Sequence, residues 1–305
     1  MLRASALLIR MLPFAVLSLL LLRMVAPIVS YDSWWYHFPF SSCLYDIGGG
    51  CRSFHMDPVS LARFDGFPKV WELAQGAAWL VTGSLWSIVL PQLLLCAAYL
   101  WTVRRTLRVP TGLLLAAVFA CPMLVLHVVG TNNDLPGALG IAIGFFLLAE
   151  LLAAPAAPSD WAKAAGAIAA FALAGNIKYQ ALIGCLAVGL AIGVPCLVLR
   201  GIAPRRRAGV LLVLVLAGSA AAGWALVNAA RFGNPFYPRE VSLAGRAVFA
   251  GPESENDGQA PPAYLLYESR RTTLPGPVNF VLSATELDWT MRGVAPWYSM
   301  GSDAM

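Results

Sequence analysis

The chain has 305 residues, of which 59% are hydrophobic and only 12% charged, with a formal net charge of +5. Soluble domains carry about 25% charged residues, so the composition excludes an ordinary soluble domain, and the mean hydropathy of +0.69 points to a membrane protein. The basic residues are spread over short segments between apolar runs, which argues against a nucleic-acid-binding domain.

Apolar stretches near the length of about 20 residues that a spanning helix needs recur along the chain. We read spans at residues 11–29, 85–103, 112–129, 135–152, 164–177, 181–199 and 210–229. The stretch 164–177 reaches useful length only with Trp161 and Lys163 at the interface. Arg3 and Arg10 precede the first span, Arg104, Arg105 and Arg108 follow the second, Lys163 precedes the fifth, and Arg200 and Arg205 to Arg207 follow the sixth. With the N-terminus inside, all of these fall on the cytoplasmic side, as the positive-inside bias requires. Residues 1–30 could also be read as a signal peptide, but the later spans favour a retained anchor. The predicted fold is an all-α polytopic integral membrane protein of about seven spans.

Three parts then face outward: a long first loop at 30–84, the turn Gly130-Thr131-Asn132-Asn133-Asp134, and the stretch after span seven, including a polar tail at 241–305. In the loop, Phe67, Val70, Trp71, Ala74 and Ala78 recur at helical spacing behind Pro68. This predicts either an interfacial helix lying on the bilayer or a helix packed against neighbouring spans. Cys43 and Cys51 share the loop, with Gly48 to Gly50 between them, and an oxidising compartment would allow a disulfide there. Cys96, Cys121, Cys185 and Cys196 lie in spans and read as small buried apolar groups.

Asp32 opens the run Asp32-Ser33-Trp34-Trp35-Tyr36-His37 at the outer end of span one. Ionisable groups at membrane depth are costly and mark sites. The aromatic residues Trp34, Trp35 and Tyr36 could be an interfacial belt, or walls whose desolvation makes the carboxylate a better base. His37 stands about 140° from Asp32 on an ideal helix, so the two need not share a face. Asp134 reads as a helix cap or as a substrate contact. Lys178, outside and against the charge bias, reads as a snorkelling lysine or as a point charge for a phosphate. Lys69 and Arg63 in the loop could assist. No Walker loop, dinucleotide fingerprint or paired-cysteine metal motif occurs in the sequence. A divalent metal could use Asp32, Asp134 or His37.

Taken with Asn132-Asn133-Asp134-Leu135-Pro136, Lys178-Tyr179 and Gly233-Asn234-Pro235-Phe236-Tyr237-Pro238, this pattern resembles the C-type (GT-C) polytopic glycosyltransferases. That superfamily includes the dolichyl-phosphate-mannose protein mannosyltransferases and the bacterial aminoarabinose lipid A transferase. The resemblance covers roughly residues 10–240, and the order and common outer placement of the motifs carry it. It implies a polyprenyl-phosphate sugar donor, a lipid, glycan or protein acceptor, and a catalytic acid in the first outer loop, matched here by Asp32. It further implies substrate contacts from Trp35, Tyr36, His37, Lys69, Asp134 and Lys178. Members usually continue with further spans, so the resemblance implies an N-terminal portion, a split gene product or a short variant, in a bacterial inner membrane with its site on the periplasmic face. Two rival readings stand beside it: a transporter or flippase for a lipid-linked saccharide, and a non-catalytic membrane assembly subunit.

Overall fold

The computed structural model describes residues 36–52, 58–119, 124, 127–128, 130–153, 160–198, 202–243 and 246–252. The expected span at 11–29, with Asp32, Trp34 and Trp35 behind it, lies outside them.

The first described helix, α1 (Phe38–Tyr45), carries Pro39 in its first turn, where a missing N–H costs nothing. It stops at Asp46, which turns left-handed and returns its N–H to the Ser42 carbonyl. A 3-10 segment at Ile47–Arg52 follows, and the Cys43 and Cys51 sulfurs are joined across it. Next come α2 (Pro58–Gly66) and α3 (Val70–Thr82), the latter ended by Gly83, whose N–H bonds the Trp79 carbonyl at 2.9 Å.

A 3-10 turn at Leu85–Val89 runs into α4 (Leu90–Leu107). Then follow α5 (Thr111–Phe119), α6 (Asp134–Ala153), α7 (Asp160–Gly175), α8 (Tyr179–Val198), α9 (Pro204–Ala221) and α10 (Gly223–Phe232). The strands β1 (Val241–Leu243) and β2 (Arg246–Phe249) pair as an antiparallel hairpin, with Leu243 opposite Arg246.

Three helical segments are long and apolar enough to cross a membrane: Leu85–Leu107, α6 and α8. A fourth is formed if α9 and α10, bent by 46° at their junction, count as one. Of the seven expected spans, the one at 11–29 lies outside the described residues, and three or four segments of the described residues have the length and apolarity of a span. The stretch 164–177 belongs to α7, which starts at Asp160 and has 16 residues. Of 112–129, the helix α5 covers 112–119, and most of the remainder lies outside the described residues. The stretch 210–229 is interrupted at Ala222.

The core lies among α6, α7, α8 and α9, around Leu148, Ala167, Phe171, Ala174, Cys185 and Ala217. Helices α6 and α7 pack closely because α6 offers small residues. A Cβ at Gly144 would stand 2.6 Å from the Phe171 ring. Small residues that let backbones approach are how helices associate where water supplies no driving force. The outward faces are apolar: Leu94, Ile183, Leu190 and Val215 are all exposed. At the end of α6 far from the Asn132-Asn133-Asp134 turn, Lys163 of α7 pairs with Glu150 at 3.6 Å, and Thr106 of α4 donates to the same carboxylate.

Candidate functional site

Polar chemistry gathers at the other end of the bundle. There α1, α2 and α3 lie against the turn before α6, the turn between α7 and α8, and α10. Backbone and side-chain bonds fix this cap. Val70 donates its N–H to the Asn176 carbonyl, and Gln75 of α3 donates to the Thr131 carbonyl at 2.9 Å.

His37 sits at the N-cap of α1, fully buried. Its Nδ1 stands 2.7 Å from Oε1 of Glu72, which is also fully buried. Ser41 donates to the Glu72 carbonyl, doubling the link between α1 and α3. Among the described residues His37 Nε2 and Glu72 Oε2 have no hydrogen-bond partner, and a buried polar atom left unpaired costs about 1–3 kcal/mol. Tyr36 packs its ring against Phe40 and Phe67, at centroid distances of 5.8 and 6.3 Å.

Lys69 is 6% exposed. Its ammonium lies 4.8 Å from the centre of the Phe64 ring and 4.7 Å from that of Trp224, and it donates to the Asp65 carbonyl at 3.4 Å. Rings can hold a cation in this way. Burial lowers its pKa to about 8, against the opposing pull of the Asp65 and Glu72 charges, with Arg231 adding to the lowering.

The backbone beside Lys69 is held from three sides. The Gly66 carbonyl accepts from the Tyr179 hydroxyl at 2.8 Å, from Trp224 Nε1 at 2.8 Å and from Asn228 Nδ2 at 2.7 Å. Gly66 has no room for a side chain, since a Cβ would stand 2.4 Å from the Tyr237 carbonyl oxygen. Asn176 manages the bend between α9 and α10. Its Nδ2 donates to the Ala220 carbonyl and its Oδ1 accepts the Trp224 N–H, each at 2.7 Å.

Lys178 reaches Asp134, with Nζ 2.5 Å from Oδ1, and this pair is partly exposed. Asn133 Nδ2 donates to the Ile177 carbonyl alongside it. The two turns named from sequence are thus brought together. His37 is committed to Glu72 instead, and among the described residues no hydrogen bond or ion pair joins it to Asp134. Among the described residues no group of three His, Cys, Asp or Glu side chains is placed to hold a metal ion; Asp32, the other residue named for a metal, lies outside them.

The helix in the first loop is present, and its buried residues are Trp71, Glu72, Gln75 and Gly76. Of the two arrangements left open for it, packing against the protein holds for Trp71. Glu72, which the sequence analysis did not single out, is the partner of His37. A glutamate three residues from Lys69 and four before Gly76 offers no local signal of its direction; the pairing becomes visible only when α1 and α3 are placed together. Trp224 and Asn228 were missed in the same way, being more than 150 residues from the loop they hold.

Compared with known proteins, the chain matches no family model, no curated protein and no solved structure.

Proposed function

We propose that the protein is a GT-C-type glycosyltransferase that moves a sugar from a polyprenyl-phosphate donor to an acceptor on the extracytoplasmic face of a bacterial inner membrane. One observation carries the reading. Ionisable side chains from separate elements (His37, Glu72, Lys69, Asp134 and Lys178) collect at one end of apolar helices, and that end lies opposite the Lys163–Glu150 pair. A site working on a lipid headgroup needs polar groups at the water–lipid boundary rather than at mid-membrane. The joined Cys43 and Cys51 suit an oxidising side.

In this reading the donor enters sideways from the outer leaflet. Asp32 takes a proton from the acceptor hydroxyl, whose oxygen attacks the anomeric carbon, and the C–O bond to phosphate breaks with inversion. Cations stabilise the charge that develops on the leaving phosphate. Lys178 is one candidate, its charge partly offset by Asp134. Lys69 is the other: among the described residues no carboxylate lies within ion-pair distance of it, and its hydrogen bond goes to the Asp65 carbonyl. Tyr36 and Trp35 would wall the sugar, and His37 would set the start of α1 five residues beyond Asp32.

The test is transfer by purified protein in liposomes with a polyprenyl-phosphate sugar. A general base contributes about a hundred- to ten-thousand-fold in rate, so Asp32→Asn should lower transfer by that order while inserting normally. Wild-type turnover by Asp32→Asn would remove Asp32 from the mechanism.

The bend at Ala222 favours one second reading. Transporters build their sites on interrupted helices, and α9 and α10 form such a break, bridged by Asn176. Passage of a lipid-linked saccharide across the liposome bilayer without sugar transfer would support a flippase instead.

A further inference from the structure

Helix α3 is amphipathic in an inverted sense. Glu72, Gln75, Gly76 and Trp79 recur at the spacing of one helical stripe, and Glu72 and Gln75 are each only 1% exposed. A second stripe, Leu73, Ala77, Leu80 and Val81, follows the same spacing. There Leu73 is 39%, Leu80 55% and Val81 85% exposed. A helix in water wets its polar stripe; α3 instead buries Glu72 and Gln75 together with Trp71 and leaves Leu73, Leu80 and Val81 outward.

The one hydroxyl at this exposed end needs no water. Thr82 donates to the Ala78 carbonyl at 2.9 Å and accepts the Ser84 N–H at 3.2 Å. Single exposed apolar residues are ordinary on any protein; a continuous stripe without a polar side chain is not. The stripe is also continuous with another surface. Only Gly83 and Ser84 separate α3 from the segment Leu85–Leu107, which is apolar and long enough to span. Trp86 and Leu94 of that segment are exposed too, at 41% and 71%. Tryptophan at a helix entrance is the residue that settles at the level of lipid headgroups.

We infer that the Leu73–Leu80–Val81 face of α3 is a lipid-binding surface, seated among the acyl chains of the leaflet on the loop side. The partner is the bilayer itself, because the stripe leads, through Gly83 and Ser84 alone, into a segment long and apolar enough to cross a membrane, whose Trp86 and Leu94 are exposed as well. The polar stripe of α3 is meanwhile spent on His37 and the Thr131 turn. The inference rests on the membrane reading of the chain and not on the transfer reaction. It places the roof of the site at the lipid boundary, where a substrate carrying a long hydrocarbon chain would arrive.

Site-directed spin labelling tests it. Cys96, Cys121, Cys185 and Cys196 are replaced by alanine, leaving Cys43 and Cys51. Single labels are placed by Leu80→Cys, Val81→Cys and, on a helix read as spanning, Leu190→Cys, in full-length protein in phosphatidylcholine vesicles. Leu73→Cys reports on the same face should Leu80→Cys fail to yield folded protein. Collision with oxygen, which concentrates in lipid, is compared with collision with a water-soluble nickel chelate. Oxygen collisions exceeding nickel collisions at 80 and 81, as at 190, support the surface. Nickel collisions dominating at 80 and 81, but not at 190, overturn it and put α3 in water. Low collision with both reagents at 80 and 81 also overturns it, by showing a second copy or another protein on this face. Nickel access at 190 as well would show instead that the membrane reading had failed.

Discussion

Oε1 of Glu72 lies 2.7 Å from Nδ1 of His37, and neither side chain reaches solvent. The pair ties the beginning of α1 to α3 across a separation of 35 residues. Removing the carboxylate leaves an imidazole N–H buried without an acceptor. Glu72→Ala should therefore lower stability by about 1–3 kcal/mol. Glu72→Gln should cost less, because its amide oxygen can still accept from Nδ1. Thermal unfolding in detergent compares them, and equal midpoints for wild type and Glu72→Ala would mean that the pair contributes nothing.

Lys69 gives a pH dependence of defined sign. Its pKa falls from 10.5 to about 8 on burial. Below pH 8 both folded and unfolded chains hold the proton, and the folded chain bears the full cost of an interior ammonium, about 3 kcal/mol. Between pH 8 and 10.5 the unfolded chain binds more protons, so this contribution to stability rises with pH. Lys69→Met should remove the rise. The difference in unfolding midpoint between variant and wild type, followed from pH 7 to 10, should shrink as pH increases; a constant difference would contradict the assignment.

Gly144 and Gly189 make a matched comparison within helices long and apolar enough to span. A methyl group at Gly144 meets the Phe171 ring at 2.6 Å, whereas among the described residues nothing lies within 4 Å of one at Gly189. Overpacking costs about 1–3 kcal/mol. Gly144→Ala should lower the detergent unfolding midpoint accordingly, and Gly189→Ala should leave it near that of wild type. The reverse order would show that α6 and α7 do not pack as described.

Lys178 separates binding from stability. Its pair with Asp134 is partly exposed, and such pairs contribute about 0–1 kcal/mol. Lys178→Ala should thus fold nearly as well as wild type. A loss of affinity for a polyprenyl-phosphate sugar in this variant, partly restored in Lys178→Arg, is the outcome expected of a phosphate contact; unchanged affinity would leave Lys178 as a partner of Asp134 alone. The two cations differ in donor geometry, so the restoration should be incomplete.

Much of the helical frame was legible because the signal is local. Runs such as Leu135 to Leu152 are apolar over the length of a span, and α6 covers this one. Reading the faces of helices from periodicity left α3 undecided for a physical reason. Periodicity finds an apolar stripe but cannot say whether protein or lipid lies beyond it, so the burial of Trp71 and the pairing of Glu72 appear only in the structure. The site was legible only in parts. Lys178 and Asp134 were each singled out because an ionisable residue stands out among apolar neighbours. That they meet depends on the antiparallel placement of α6 and α7. The rings around Lys69 come from α2 and α10, and no spacing rule connects Phe64 to Trp224.

The three donors on the Gly66 carbonyl also set an order of assembly. Tyr179 follows Gly66 by 113 residues and Asn228 follows it by 162. At roughly 5–20 residues per second of synthesis, the first loop waits on the order of ten seconds or more for both anchors to be made. During that interval the buried carboxylate of Glu72 and the ammonium of Lys69 have no completed interior to occupy. The cap over the site is thus a late product of biosynthesis, closed only when helices from the second half of the chain arrive beside a loop made near its beginning.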